Sequence, residues 1–174
     1  MSTDTPTGPA LSEPTVITRP EQPYAAITGD VTMQQIAALA GRTPEVFAWL
    51  AERGIQPAGA PFLRYLAIDM ERTLKIETGV PVATPVTGSG EVRGGVLPAG
   101  KYLYAVHTGH PDRLEPATGA FLAWAREHAL DFDHADTPDG DQWGCRLEVY
   151  QTDPHGPMEQ WQTELVFRLA DPGN

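Results

Sequence analysis

The sequence predicts an α+β domain made of two similar halves that pack about a pseudo-twofold axis. With 41% hydrophobic and 20% charged residues, this chain of 174 residues has the composition of a globular protein. The order strand, helix, strand, strand occurs twice along it. We therefore expect duplicated βαββ units with an antiparallel sheet, one long helix in each half, and a ligand cleft between the halves.

The first half spans residues 14–83 and follows a segment, 1–13, that is rich in Ser, Thr and Pro and is predicted to be a disordered tail. Residues 15–28 are typical of an edge strand, because two prolines interrupt them. A helical region is expected at about 33–53. The strands predicted to close this half are 61–69 and 72–82.

Capping signals indicate where this first helical region begins and ends. Thr32 and Gln35 have the spacing of a capping box. Gly41 predicts a break, and Pro44 favours a new first turn directly after it. Gly54 is a typical C-terminal stop.

The second half, residues 96–170, repeats this order after a linker. Residues 84–95 are rich in Gly, Ser and Pro, which is typical of a connection between units. A helix is expected at about 112–128, followed by a polar loop over 131–144. The predicted strands of this half are 100–108, 146–153 and 161–169.

The two halves also match residue by residue. AWLAERGI at 48–55 is similar to AWAREHAL at 123–130, and LRYLAID at 63–69 aligns with LEVYQTD at 147–153. A half of this size buries little surface alone, so two copies are expected to share one core. Clefts at such junctions are common ligand sites.

Charge and cysteine content narrow the function classes. Twelve Lys and Arg against 23 Asp and Glu give a net charge of −11. Such a surface disfavours nucleic-acid binding, although solubility also explains the charge. Cys145 is the sole cysteine, which excludes an internal disulfide framework. Residues 1–11 lack the pattern of a signal peptide and no apolar run could span a membrane, so we expect a cytoplasmic protein.

The last two strands place two glutamates where they could face each other. If the turn is centred on Gly156, Glu148 pairs with Glu164, whereas the same arithmetic in the first half pairs Arg64 with Glu77. Two carboxylates roughly 5 Å apart repel by about 3 kcal/mol at an effective dielectric near 20. Either one of them is protonated, or a cation lies between them.

Two other arrangements remain open for these glutamates. They could lie on a solvated face, or pair with Arg146 or Arg168. Tyr150 shares a strand face with Glu148 and is a candidate wall of the cleft. Further candidate walls, each equally consistent with core packing, are Phe47, Tyr65, Tyr104, Phe121 and Trp124, and Trp143 is either a lid or simply exposed.

The order YAAI, FLRYLAID, KIETGVPV, repeated as YLYAVHTG, LEVYQTDP and WQTELVF, resembles the GyrI-like small-molecule-binding domain. This is the effector-binding module of bacterial multidrug-sensing regulators of the MerR and AraC types, with duplicated SHS2-like halves. The resemblance covers about 14–170 and implies a stand-alone member without a DNA-binding region. It also implies that Glu148 and Glu164 contact the positive charge of the ligand.

Three functions are therefore considered. The first is a sensor or sequestering protein that binds flat, hydrophobic, often cationic molecules. The second is a hydrolase of electrophilic natural products that uses Glu148 and Tyr150, since some relatives have that activity. The third is an acidic interaction protein acting on DNA gyrase. No cofactor or metal is expected, because the histidines lack metal-ligand spacing.

Overall fold

The computed structural model describes residues 11–69, 71–138, 140–151 and 157–170. It confirms the α+β class and the antiparallel sheet. The strands are β1 (Thr15–Arg19), β2 (Gln22–Val31), β3 (Phe62–Ile68), β4 (Leu74–Pro81), β5 (Val92–Leu97), β6 (Gly100–Thr108), β7 (His134–Thr137), β8 (Gly140–Trp143), β9 (Arg146–Tyr150) and β10 (Gln162–Arg168). The helices are α1 (Ile36–Ala40), α2 (Thr43–Glu52) and α3 (Leu114–Glu127). Within these ranges, no helix has the length and apolar character needed to cross a membrane.

The main strands follow the order β1-β6-β10-β9-β3-β4-β2-β5, and the β7–β8 hairpin pairs with β3. This order is symmetric about its middle. Reversing it and exchanging β1 with β5, β2 with β6, β3 with β9 and β4 with β10 gives the same order again. The centre of the order is therefore the β9–β3 pair. There Leu63 lies opposite Glu148, and Tyr65 and Tyr150 each follow two residues further along their strands.

Both long helices pack on the same face of the sheet, over different halves. Helix α2 buries Val46, Trp49 and Leu50, which are spaced to form one apolar stripe, against β2 and β4. Helix α3 buries Phe121 and two alanines and packs on β6. Each half of the sheet thus has its own hydrophobic core under one helix.

The helix-free face is also buried, because the sheet curls around it. Strands β1 and β2 lie near opposite ends of the strand order, yet only Pro20 and Glu21 separate them. Pro98 and Ala99 join β5 to β6 across the same distance. A two-residue link spans at most about 11 Å, so the ends of the sheet must approach each other. The large apolar side chains enclosed on this face are Tyr24, Phe62, Tyr102, Leu147 and Val166.

Two segments that the sequence assigned to connections are strands. Residues 92–97, partly within the predicted linker 84–95, form β5 and pair with β2. Its glycines allow close backbone approach: a Cβ on Gly95 would lie 2.6 Å from the Tyr24 ring, and one on Gly94 would lie 2.1 Å from the Val86 carbonyl oxygen. The predicted polar loop 131–144 contains the β7–β8 hairpin.

The N-terminal boundary and the first strand also differ from the prediction. Leu11 and Ser12 were assigned to the disordered tail, but Leu11 bridges to His107 and the Ser12 amide donates to the Val106 carbonyl at 2.9 Å. The predicted edge strand over 15–28 is two strands, and β2 lies inside the sheet between β4 and β5. Residues 1–10 of the predicted tail lie outside the described residues.

The packing of the enclosed face predicts opposite effects for two glycine-to-alanine substitutions. In Gly79→Ala the new methyl group would lie 2.7 Å from Phe62 Cζ, so we expect a loss of about 1–3 kcal/mol in the free energy of unfolding. Gly119 lies on the exposed side of α3 with no atom within 4 Å of a Cβ, so Gly119→Ala should gain about 0.5–1 kcal/mol. Urea denaturation of both variants checks this, and equal effects would contradict the packing described.

Candidate functional site

Glu148 lies at the seam between the two helix-covered halves of the sheet. Its cross-strand neighbours are Leu63 on β3 and Leu165 on β10. Leu63 belongs to the hydrophobic core under α2, and Leu165 belongs to the core under α3. Because the sheet curls away from the helices, its outer surface is convex there, and a cleft between the helices would have its floor at Glu148.

Two tyrosines hold the Glu148 carboxylate from the same strand face. The Tyr65 hydroxyl donates to Oε1 at 3.0 Å, and the Tyr150 hydroxyl donates to the same oxygen at 2.9 Å. Within the described residues, no hydrogen bond reaches Oε2. One carboxylate oxygen is therefore fixed by the protein and the other is left for a further partner.

The surroundings of Glu148 disfavour its charged form. Burial raises the pKa of its carboxyl group, and the two tyrosine hydrogen bonds and the charge of Arg146 offset this only in part. Burial, followed by the nearby carboxylate, raises the pKa of both tyrosines well above their ordinary value. Glu148 nevertheless keeps some exposed surface.

Arg146 lies two residues before Glu148 on the same strand face and is held mainly by aromatic rings. Its guanidinium carbon is 4.7 Å from the centroids of both Trp143 and Phe167, and 5.6 Å from that of Tyr65. Among the described residues it makes no hydrogen bond and no ion pair within 4 Å. Burial lowers the pKa of this guanidinium.

The predicted pairing of Glu148 with Glu164 is wrong. Glu164 lies opposite Val149, one position away from the predicted register, and therefore projects from the other face of the sheet. The loop that joins β9 to β10 is not symmetric about Gly156, which itself lies outside the described residues. Without this pairing, the expected repulsion between the two carboxylates is absent.

Glu164 belongs to a separate group on the helix-free face. The Tyr104 hydroxyl donates to its Oε2 at 2.7 Å. Burial, with a further contribution from this hydrogen bond, raises the pKa of Tyr104 to about 12. The structure thus separates Glu164 and Tyr104 from the other predicted ligand-binding residues.

The predicted neighbours Arg64 and Glu77 do lie opposite each other, on β3 and β4. Their closest charged atoms are 3.9 Å apart, and each side chain is only 12% exposed. The Tyr24 hydroxyl bridges them, because it accepts from Arg64 at 2.9 Å and donates to Glu77 at 2.5 Å. The curled sheet encloses these three side chains, so we interpret them as part of the folded core and not of a ligand site.

The remaining predicted aromatic residues occupy different environments. Phe47 of α2 is half-buried and packs on the same core as Tyr65 and Tyr150. Phe121 is fully buried under α3 and packs against Phe167, so it cannot line an open cleft. Trp124 stacks on His128 with ring centroids 3.7 Å apart. Trp143, interpreted from sequence as a lid or an exposed side chain, is buried in the core under α3.

The β7–β8 hairpin brings together residues that their linear spacing did not connect. Ligand atoms of His134, Asp136 and Asp141 lie within 4.8 Å of one another, which is compatible with a divalent metal. However, Asp141 already pairs with His134 Nδ1 at 2.8 Å and accepts from the Trp143 indole at 3.0 Å. His134 and Asp136 are exposed.

Two surface hollows lie near these groups, and neither is lined by Glu148. One is open and lies on the helix-free face beside Tyr104 and Glu164. The other lies between α3 and the β7–β8 hairpin and has Arg146 and Trp143 in its wall.

Comparison with known protein families agrees with this arrangement. Residues 12–170 match the GyrI-like small molecule binding domain. The chain belongs to this family. No curated protein sequence matches the chain.

Solved structures of similar fold include a domain of EcmrR, a ligand-bound protein and a hydrolase, all at low sequence identity. The C-terminal domain of EcmrR is 16% identical with a TM-score of 0.70, over 91% of this chain and 97% of that domain. SAV2435 bound to tetraphenylphosphonium is 14% identical with a TM-score of 0.61, over 91% and 94%. A hydrolase from Listeria innocua is 13% identical with a TM-score of 0.57, over 95% and 94%. The chain spans only 57% of the EcmrR chain in its DNA complex.

The raised pKa of Glu148 predicts a specific pH dependence of stability. The folded state keeps the proton at pH values where the unfolded chain has lost it, so this contribution to stability is fully present below the ordinary value of 4.5. It is lost as the pH rises through the raised pKa. Glu148→Gln has no ionisable group at this position, so it does not lose this contribution. As the pH rises through the raised pKa, the unfolding free energy of the variant should therefore increase relative to that of wild type. Urea denaturation from about pH 4 to about pH 8 measures the difference, and a difference independent of pH would contradict the assignment.

Proposed function

We propose that this domain binds hydrophobic, often cationic small molecules over Glu148, and that it acts as a cytoplasmic sensor or sequestering protein. The observation that carries the proposal is the enclosed carboxylate at the seam of the two halves. Tyr65 and Tyr150 fix one of its oxygens, whereas the described residues leave the other without a hydrogen bond. Among the residues that the structure describes, no ion pair within 4 Å neutralises it.

A lipophilic cation suits this carboxylate better than a hydrated ion does. The raised pKa of Glu148 means that its charged form is poorly solvated, so an opposite charge placed beside it is favourable. A bulky organic cation also buries apolar surface against the half-buried rings. Tyr65 and Tyr150 offer ring faces that attract cations, and Phe47 of α2 provides an apolar wall.

Side chains of α2 and β3 border this site on the helix-bearing face. Glu148 does not line either surface hollow, and Phe47 and Ile68 pack beside the two tyrosines. Phe47 lies on α2 and Ile68 on β3, so a small movement of α2 would widen the cleft. The family to which the chain belongs binds small molecules, and its structural relative SAV2435 binds tetraphenylphosphonium, which supports this choice of ligand.

A comparison of tetraphenylphosphonium with the neutral compound triphenylphosphine oxide distinguishes the contribution of ligand charge to affinity from that of ligand shape. We expect wild type to bind the cation with micromolar affinity, roughly −8 kcal/mol. Glu148→Gln should weaken the cation about tenfold and change the neutral compound by less than about twofold, because only the cation uses the charge. Isothermal titration calorimetry measures both. Glu164→Gln, on the opposite face, is the matched control and should leave both affinities unchanged.

Two results would overturn this proposal. One is equal weakening of the cation by Glu148→Gln and Glu164→Gln, which would indicate a general effect of net charge. The other is an unchanged affinity in Glu148→Gln with a lower melting temperature, which would mean that Glu148 has a structural role.

A hydrolase is the second candidate, because the same residues could move protons. Tyr150 donates to Glu148 at 2.9 Å, and the pKa of each group is raised, so a proton donor and a base share one site. If the domain hydrolyses electrophiles, it should convert styrene oxide to the diol. Tyr150→Phe should then lose most of this turnover while it keeps tetraphenylphosphonium binding. Absence of diol above the rate without protein, measured by chromatography, would remove this candidate.

A further inference from the structure

The hollow between α3 and the β7–β8 hairpin has an unusual charged group in its wall. Arg146 projects from β9, where it pairs across the sheet with Phe167. Its guanidinium lies against Trp143 and Phe167, with 4.7 Å between the guanidinium carbon and each ring centroid. An arginine in such a place is normally also hydrogen-bonded, because a guanidinium has five N–H donors to satisfy.

Arg146 has no such partner among the described residues. It makes no hydrogen bond there, and neither Glu148 nor Asp141 approaches within ion-pair distance. None of its nitrogen atoms is sealed from solvent without a partner, unlike Arg64 Nε. The donors of Arg146 are therefore unpaired by the described part of the chain and can be reached from the hollow that this residue lines.

The other acidic and basic side chains around the hollow are either paired or lie at its rim. The Arg146 guanidinium is therefore the main group in the hollow that could bind a charged ligand. Both oxygens of Asp141 already have partners, His134 Nδ1 at 2.8 Å and the Trp143 indole at 3.0 Å. Asp131 and Arg126 are both exposed, so they lie at the rim and oppose each other in charge. His134 stacks on Trp143 with centroids 4.7 Å apart.

The shape and lining of the hollow suit an aromatic or aliphatic group next to the charge. Its volume is about 370 Å³, within the usual range of small-molecule sites. Its apolar lining is formed by Leu122, Ala125, Ala129, Leu130, Phe132 and Trp143. A carboxylate fits the planar fork of a guanidinium with two parallel hydrogen bonds, which a single ammonium group would not offer.

We propose that this hollow is a second binding site, which takes a small organic carboxylate with an apolar body and holds its carboxylate on Arg146. The site is distinct from Glu148 in both position and sign of charge. This proposal does not depend on cation binding at Glu148, because it rests only on the Arg146 donors, the stacked rings and the hollow.

The probes 2-naphthoate and 2-naphthamide test the site, because they differ in charge and share a shape. Wild type should bind naphthoate at least about tenfold more tightly than naphthamide, measured by calorimetry. Naphthoate should also shift the NMR signals of the Trp143 indole and the Arg146 side chain. Arg146→Gln should abolish the preference for naphthoate, and Arg146→Lys should retain only part of it, since lysine keeps the charge without the fork.

Arg53→Gln is the matched control. Arg53 also stacks on a tryptophan, with its guanidinium carbon 3.9 Å from the Trp49 ring centroid, but it directly follows α2 and does not line the hollow. This variant should keep the naphthoate preference. Equal binding of the two probes by wild type, which needs no substitution and so no folding control, would overturn the proposal. So would an equal loss of preference in the Arg53 and Arg146 variants.

Discussion

The architecture depends on two connections that are too short for a flat sheet. Strands β1 and β2, and likewise β5 and β6, lie near opposite ends of the strand order, yet two residues join each pair. The sheet must therefore curl until its ends meet. This curvature explains why the face without helices is as well buried as a core. It also places both long helices on the convex side, where they cover separate halves and leave the central strands between them.

The central strands carry the charges that give the domain its chemistry. Glu148 and Arg146 lie two residues apart on one face of β9, and an ion pair between them would have cancelled both. Instead, the tyrosines hold the carboxylate and the rings of Trp143 and Phe167 hold the guanidinium. The carboxyl group and the guanidinium are thus kept apart, and neither neutralises the other within ion-pair distance. In contrast, Arg64 and Glu77 inside the curl are bridged by Tyr24.

The sequence was informative where local chemistry decides the structure. The Gln35 side chain accepts from the Thr32 amide at 2.9 Å, as the capping spacing predicts. Arg64 lies opposite Glu77 as counted, although a β-bulge between Tyr65 and Ala67 shifts the register nearer the turn. The sequence was not informative where the structure depends on a one-residue difference in strand register or on a contact between residues distant in the chain. Glu164 projects from the opposite face because β10 pairs with β9 one residue away from the counted register, and a shift of one residue reverses the face. Strand β5 was missed because Gly95 accommodates the Tyr24 ring and Gly94 the Val86 carbonyl, contacts made only in the folded chain.

The edge strands also determine how the two halves depend on each other. Strand β1 begins the first half of the chain but hydrogen-bonds to β6 of the second, whereas β5 leads into the second half and hydrogen-bonds to β2 of the first. Each half therefore completes its sheet with a strand that is covalently attached to the other, as in a domain-swapped dimer fused into one polypeptide. Separating the two halves of the chain would break the β1–β6, β2–β5, β3–β9 and β3–β8 ladders of main-chain hydrogen bonds and open the enclosed face to water. The two helix-bearing units are thus interlocked, and a ligand that pushes them apart must work against the same strands that join them.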